Sequence, residues 1–397
     1  MSYNGIAYPS SLTTVGVAVE ATRGTPVAPS LWIPVKGPKY KPNLQLIPDE
    51  TLQGVDAQVQ DLVEGLQYDS HGWTAPIYLD TFPFLVRAEL GSPDTKTSAI
   101  TATTLSASAV QGATSVSITG TVATGDAVVI GSASNGTLEA HILGTVSGAG
   151  PYTCALNEPL VYAQPSGATV TGLTKHQFSL LNNSPSTGNY PPSVTITDFD
   201  GEEWRQMSAC QIDELTIKGN GTSLSEYTCT WMGNPSITPS SPSSSFTGVQ
   251  SPAAWTSYLT VGGTFQPALQ DWEFNFKRGT KEIPALTGLR EYFTYFPGPL
   301  QATGKFTFLE QSGSPQLTAF LEAQRTAFDF TLFDIQNGYI LNIHATACQY
   351  KTAEIDRSKE YVEVPVEFQM LPNTTDATAG SKSPVLITVA NGTSTTY

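Results

Sequence analysis

Four histidines, His71, His141, His176 and His344, are the side chains in this sequence best suited to proton transfer or metal binding. None stands in an HExxH or HxH pattern and none neighbours a cysteine, so they read as hydrogen-bonded or surface imidazoles. No GxSxG elbow supports a nucleophilic serine, and no P-loop or GxGxxG follows a strand-like run. The cysteines Cys154, Cys210, Cys229 and Cys348 include no CxxC pair, which argues against a zinc site. Cys210 and Cys229 flank the Lys218-Gly219-Asn220-Gly221 turn and could meet across a hairpin. The register there is ambiguous by one residue, and free buried thiols are favoured over a disulfide.

Carboxylates cluster in two places. Asp198, Asp200, Glu202 and Glu203 crowd one turn, where their oxygens could hold Ca²⁺. Gly201 falls too early for an EF-hand loop, and an Asp200-Gly201 turn accounts for the cluster without a metal. Near the end, Val362, Val364, Val366, Phe368 and Met370 share one face of a strand, while Tyr361, Glu363, Glu367 and Gln369 share the other. A ring of such strands would set Glu363 and Glu367 in a band of carboxylates, although an ordinary solvated face explains them equally well. Nothing marks a carboxylate pair for sugar hydrolysis. No pattern requires a cofactor, and the chain is expected not to be an enzyme.

The elements behind these residues read as strands. Charged residues make up only 13% of the 397, against about a quarter in an average soluble protein, and Ser, Thr, Gly, Asn and Pro fill the gap. That mix suits short strands and turns, with a weakly charged surface of the kind that meets copies of itself. The net charge of −15 argues against a nucleic-acid grip but not against nucleic acid sliding past. Met1-Ser2-Tyr3-Asn4 begins no basic-then-apolar leader, and no apolar run approaches 18 residues. The chain is therefore expected to be made in a cytoplasm and not to enter a membrane. Asn-x-Thr triplets at Asn135, Asn220, Asn373 and Asn391 are discounted as chance in so Asn- and Thr-rich a sequence.

Residues 1–40, with prolines at 26, 29, 34 and 38 and anchors such as Ile6, Val15, Val17 and Ile33, read as an extended arm able to lie across a neighbour. Residues 81–90 are a short apolar helix or strand. Residues 99–174 lack Phe and Trp and carry as charges only Asp126, Glu139 and Glu158; they read as a small β domain inserted in a loop. Hairpins are expected at Asp200-Gly201 and Asn337-Gly338, and Trp272, Phe274 and Phe276 alternate as one buried face. Ser314 can cap a helix running to about Ala327, with Leu317, Phe320 and Leu321 on one side. Pro365 marks an edge or bulged strand, and 384–389 is a detached strand seeking a sheet edge, in its own subunit or the next one.

The segment Val17-Ala18-Val19-Glu20-Ala21-Thr22-Arg23-Gly24-Thr25-Pro26-Val27-Ala28-Pro29, followed by Ile33-Pro34-Val35, resembles the start of tail tube proteins of long-tailed, non-contractile bacteriophages. Lys175–Asn182 is similar to the opening of the second part of that family's tube domain, and Val362–Asn373 with the strand after Ser383-Pro384 is similar to its ending. The resemblance implies an all-β, mainly antiparallel sandwich or barrel with one flanking helix. It would be split as 41–98 and 175–376, with 99–174 inserted and 377–397 as a C-terminal arm. It further implies hexameric rings stacked into a tube whose acidic lumen holds the tape measure protein and conducts DNA without specific binding. Other copies of the chain, the tail terminator and the distal tail proteins are the implied neighbours. A carbohydrate-binding adhesin is the alternative.

Overall fold

The computed structural model describes residues 8–397 except 52, 53, 55, 183–189, 314, 379 and 380, so Ile6 and the Ser314 cap lie outside the described residues. The principal strands of the main body are β1 (Thr14–Val19), β2 (Leu31–Ile33), β3 (Lys36–Asp49) and β4 (Asp61–Pro76), followed by helix α1 (Phe82–Leu90). After the insert come β5 (Thr174–Ser179), β6 (Val194–Phe199), β7 (Trp204–Asn220), β8 (Glu226–Gly233), β9 (Leu269–Lys277) and β10 (Gln301–Leu309). Helix α2 (Pro315–Leu321) precedes β11 (Arg325–Asp334), β12 (Tyr339–Ala353), β13 (Glu363–Met370) and β14 (Leu386–Asn391). The fold is all-β with antiparallel ladders, and these strands join one continuous sheet.

One path through that sheet matters for function. Strands β3, β4, β8, β7, β9, β10, β13 and β12 lie side by side in this order, each antiparallel to the next. Alternation along each strand sends apolar side chains to one core, which runs from Val15 to Val389. At its centre Phe274 packs against Phe306, Phe328, Phe330 and Phe368, with ring centroids 5.1–6.3 Å apart. Phe274→Ala removes the ring that all four share. It is expected to cost about 3–5 kcal/mol, read as a lower urea midpoint with an unchanged slope.

Several expectations change. Residues 14–33 are no free arm: β1 lies between β2 and β6, and Val15, Val17 and Ile33 are wholly buried. Beta-branched alternation at 15 and 17 gives the segment a core face, which its prolines obscure in the sequence. Helix α1 forms because Phe82, Phe84, Leu85, Val86 and Leu90 can all be buried at once, and Gly91 ends it at φ 84°. The buried Arg278 side chain closes the same end, donating from Nε to Glu89 O at 2.8 Å and from Nη2 to Leu90 O at 3.0 Å. Helix α2 stops at Leu321 rather than near Ala327, because Ala323 turns to φ 50° and Arg325 starts β11. Strand β13 is no edge: β10 and β12 flank it, and the irregularity lies in β12 between Tyr350 and Thr352. Of the two places open to the last strand, β14 takes the one in its own subunit, between β5 and β12.

Within 99–174 a separate six-stranded sheet forms around its own core, including Val116, Ile118, Val128, Ile130, Leu143 and Val170. It leans on the main body through Ala127, Val129, Ala140 and Leu173 against Ile340 and Ala390.

Candidate assembly interface

The outward face of the β4–β12 path is built in rows. Ladder register places Glu226, Lys218, Glu273, Lys305 and Glu367 directly opposite one another across β8, β7, β9, β10 and β13. Acid and base thus alternate along the row, and Lys36 Nζ lies 2.5 Å from Glu226 Oε1 at one end of it. Two residues along, the row is uncharged: Thr74, Thr228, Thr216, Asn275, Thr303, Gln369 and Gln349 cross seven strands in register. In the next row Glu214 faces Lys277, with Oε2 and Nζ 3.2 Å apart. Exposed cross-strand pairs contribute only about 0.2–1 kcal/mol each, so the pattern shapes the surface potential more than it holds the fold.

The second surface is apolar. Beyond the core, the β3–β4 ribbon exposes Leu44, Leu46, Ile47, Leu62 and Val63, and residues 44–48 and 61–64 are exposed on both faces. Such a ribbon has little to hold it in water by itself. The loop between Ile283 and Phe296 lies beside it, exposing Leu286, Leu289 and Phe293. Arg290 Nη1 to Glu64 Oε2 at 3.0 Å, the Gln67 N–H to Arg290 O at 2.7 Å and the Tyr68–Tyr292 ring contact tie loop to ribbon. Strand β3 hydrogen-bonds to β4 on one side, and among the described residues no strand pairs with its other side. An open edge fourteen residues long beside a large apolar patch invites another chain.

A family model described as phage tail tube protein matches residues 10–370. This chain belongs to the phage tail tube proteins. No curated protein is a significant match to it. The match spans both halves of the main body and the insert between them, and it makes the subunit a structural component of the virion tail that assembles with copies of itself.

In this tail tube subunit the two carboxylates singled out from the sequence part company. Glu367 is exposed on the polar face in the alternating row. Glu363 is buried at the start of β13, where Lys359 Nζ reaches Oε1 at 2.8 Å. In the acidic turn, burial raises the Asp200 pKa. The amides of Glu203 and Glu202 and the Arg205 guanidinium outweigh burial and hold the carboxyl at about 2. That is turn chemistry. Each histidine meets a carboxylate: His71 Asp198, His141 Glu139, His176 Asp94 and His344 Asp329. The four cysteines are free and buried; Cys229 faces Leu215, whereas Cys210 pairs with Val194 on another neighbour. The ribbon went unrecognised in the sequence because Pro42, Pro48 and Gly65 break its alternation. Its one signal is the spacing of Leu44, Leu46 and Ile47 against Leu62 and Val63. The lysines of the alternating row gave no signal, since only register brings them opposite acids.

Proposed function

We propose that six copies of this subunit close into a ring, that rings stack into the tail tube, and that the row-patterned face of β4–β12 lines the lumen. The observation that carries this reading is the in-register polar face, seven strands wide, continuous with an open-edged ribbon. Head-to-tail contacts through such an edge close laterally into rings and repeat axially into a tube.

On this reading Glu367 lies in the lumen and Glu363 within the wall. The channel holds the tape measure protein during assembly and passes DNA at infection. A wall releases DNA readily when it offers no unpaired cations. Here Lys36, Lys218, Lys277 and Lys305 each stand beside an acid, and an uncharged Thr/Asn/Gln row runs between the charged rows; Lys39 and Lys41, on the same side of β3, stand outside that pairing at the edge of the face. The lumen is therefore proposed to be charge-balanced across β8, β7, β9, β10 and β13, with the chain's acidic excess carried elsewhere. The six-stranded unit in 99–174 would decorate the outside, where it obstructs nothing. The tail terminator and distal tail proteins would meet the end rings.

A helical reconstruction of assembled tubes tests the assignment. Thr216, Asn275, Lys305 and Glu367 are expected to face the channel; a map with these side chains on the outer surface would overturn it.

A further inference from the structure

The apolar loop beside the ribbon belongs to a hairpin that has little of its own to hold it. Its strands, Lys281–Ile283 and Thr294–Phe296, pair only with each other and lie outside the main sheet. A lone two-stranded hairpin is marginal in water. Between the strands, Leu286, Leu289 and Phe293 are exposed, so the tip gains nothing from burial in the single subunit. Its contacts with Glu64, Gln67 and Tyr68 join it to the ribbon, whose end is itself exposed on both faces. Thr280 anchors the chain ahead of the first strand, its amide donating to Asp213 Oδ1 at 2.6 Å. Within the hairpin, the Tyr295 ring is wholly buried, and the Arg23 guanidinium donates from Nη2 to the Tyr295 carbonyl. Among the described residues, that is the only hydrogen bond from the two short strands to the rest of the subunit.

The turn that carries Arg23 is fixed by a buried carboxylate. Glu20 accepts from the Gly24 amide at 2.7 Å, from Thr195 Oγ1 at 2.9 Å and from the Ala209 amide at 2.8 Å. It thereby ties the turn to β6 and β7 at once, through hydrogen bonds that its charge strengthens. Ala209 lies in a bulge of β7, where two residues oppose one of β6, and it sits at φ 54°, a conformation that alanine rarely adopts. Strain of this kind persists only where the surroundings over-determine it, and the Glu20 carboxylate does so here. The arrangement sets one arginine against one carbonyl of the hairpin.

We infer that Arg23 is a positioning residue for assembly: it pins the hairpin to the body and so presents Leu286, Leu289 and Phe293, already ordered beside the ribbon, to a neighbouring copy of the chain. A loop ordered beforehand does not have to be ordered when the contact forms, which favours association. Presentation to a neighbour rests on the assembly reading under Proposed function, whereas the pin itself is a property of the single subunit.

Arg23→Met keeps an unbranched stem and removes the donors. Hydrogen exchange of the full-length subunit, followed by mass spectrometry below the concentration at which tubes appear, should quicken about 10-fold across 281–296, as loss of one hydrogen bond from a charged donor gives. Exchange across β9 should stay at the parental rate, and so should the thermal midpoint. The concentration at which tubes appear should rise by up to the same factor, since fewer subunits hold the hairpin ready. Should Arg23→Met fail to fold, Arg23→Lys, which keeps a charged donor but not the planar fork, carries the same test with a smaller shift. Parental exchange across 281–296, quickening shared by β9, or quickened exchange with tubes at the parental concentration would overturn the inference. Leu62→Asp with Val63→Asp separates it from the assembly reading. Tubes from that folded protein would remove the ribbon from the interface, and presentation to a neighbour with it. No tubes from that protein, with parental behaviour of Arg23→Met, would overturn the pin alone.

Discussion

Leu62→Asp and Val63→Asp, introduced together, are expected to abolish assembly and leave the subunit folded. Both side chains are more than half exposed in the single subunit, at 52% and 55%, so neither substitution touches the core. Surface changes of this kind usually alter stability by no more than about 0.5 kcal/mol. In the assembly the same positions would be covered. They are adjacent in β4, so they point to opposite faces of the ribbon, and a neighbour packed on either face meets a carboxylate. Burying an unpaired carboxylate costs several kcal/mol, and the cost recurs in every copy of a ring. Thermal unfolding followed by circular dichroism should match the parent, while sedimentation should show tubes and rings replaced by monomer. Tubes formed at the parental concentration would show that the ribbon is not at an interface.

Glu89→Gln should give the largest pH-dependent change in stability. Glu89 lies in α1, is fully buried, and neither carboxylate oxygen has a hydrogen-bond partner in the protein. Burial raises its pKa from 4.5 to about 8, although Arg278 pulls the other way. Burial likewise raises Glu158 to about 7. A raised carboxyl pKa means that the folded chain holds the proton more tightly than the unfolded chain does. Stability is therefore full below the ordinary carboxyl pKa and falls as pH climbs through that of the folded state. Each group contributes about 1.4 kcal/mol per pH unit inside its window. The parent should lose stability from about pH 4.5 to pH 8, with only Glu89 still titrating in the last unit. Glu89→Gln should flatten the upper part of the curve and gain on the order of 4 kcal/mol relative to the parent between pH 5 and pH 9. Urea unfolding at those two values checks it; parallel curves for parent and variant would mean that Glu89 is paired or hydrated in the folded chain.

What could be read from the sequence was whatever depends on short-range period and turn chemistry. Trp272, Phe274 and Phe276 alternate and are buried, and the Asp200-Gly201 and Asn337-Gly338 hairpins join β6 to β7 and β11 to β12. Where two preferences competed, the three-dimensional context decided. The apolar run at 82–90 became a helix because nearly every side in its place is core. Helix α2 yielded early to β11, whose alternating Phe328, Phe330 and Leu332 had more to bury. Glu363 shows the limit of alternation: it lies on the polar side of the strand, yet Lys359 folds over it and buries it. The assembly surfaces were the least legible. The ribbon has no inward face, hence no period. The alternation of Glu226, Lys218, Glu273, Lys305 and Glu367 exists only once five strands drawn from four distant stretches of chain are brought into register.

Negative-stain electron microscopy of the purified protein, concentrated at low salt, shows whether the subunit builds a channelled tube through its open-edged ribbon. Six-fold rings and straight tubes with a central channel are expected. Compact closed oligomers of another symmetry, such as trimers without a channel, would contradict that assembly.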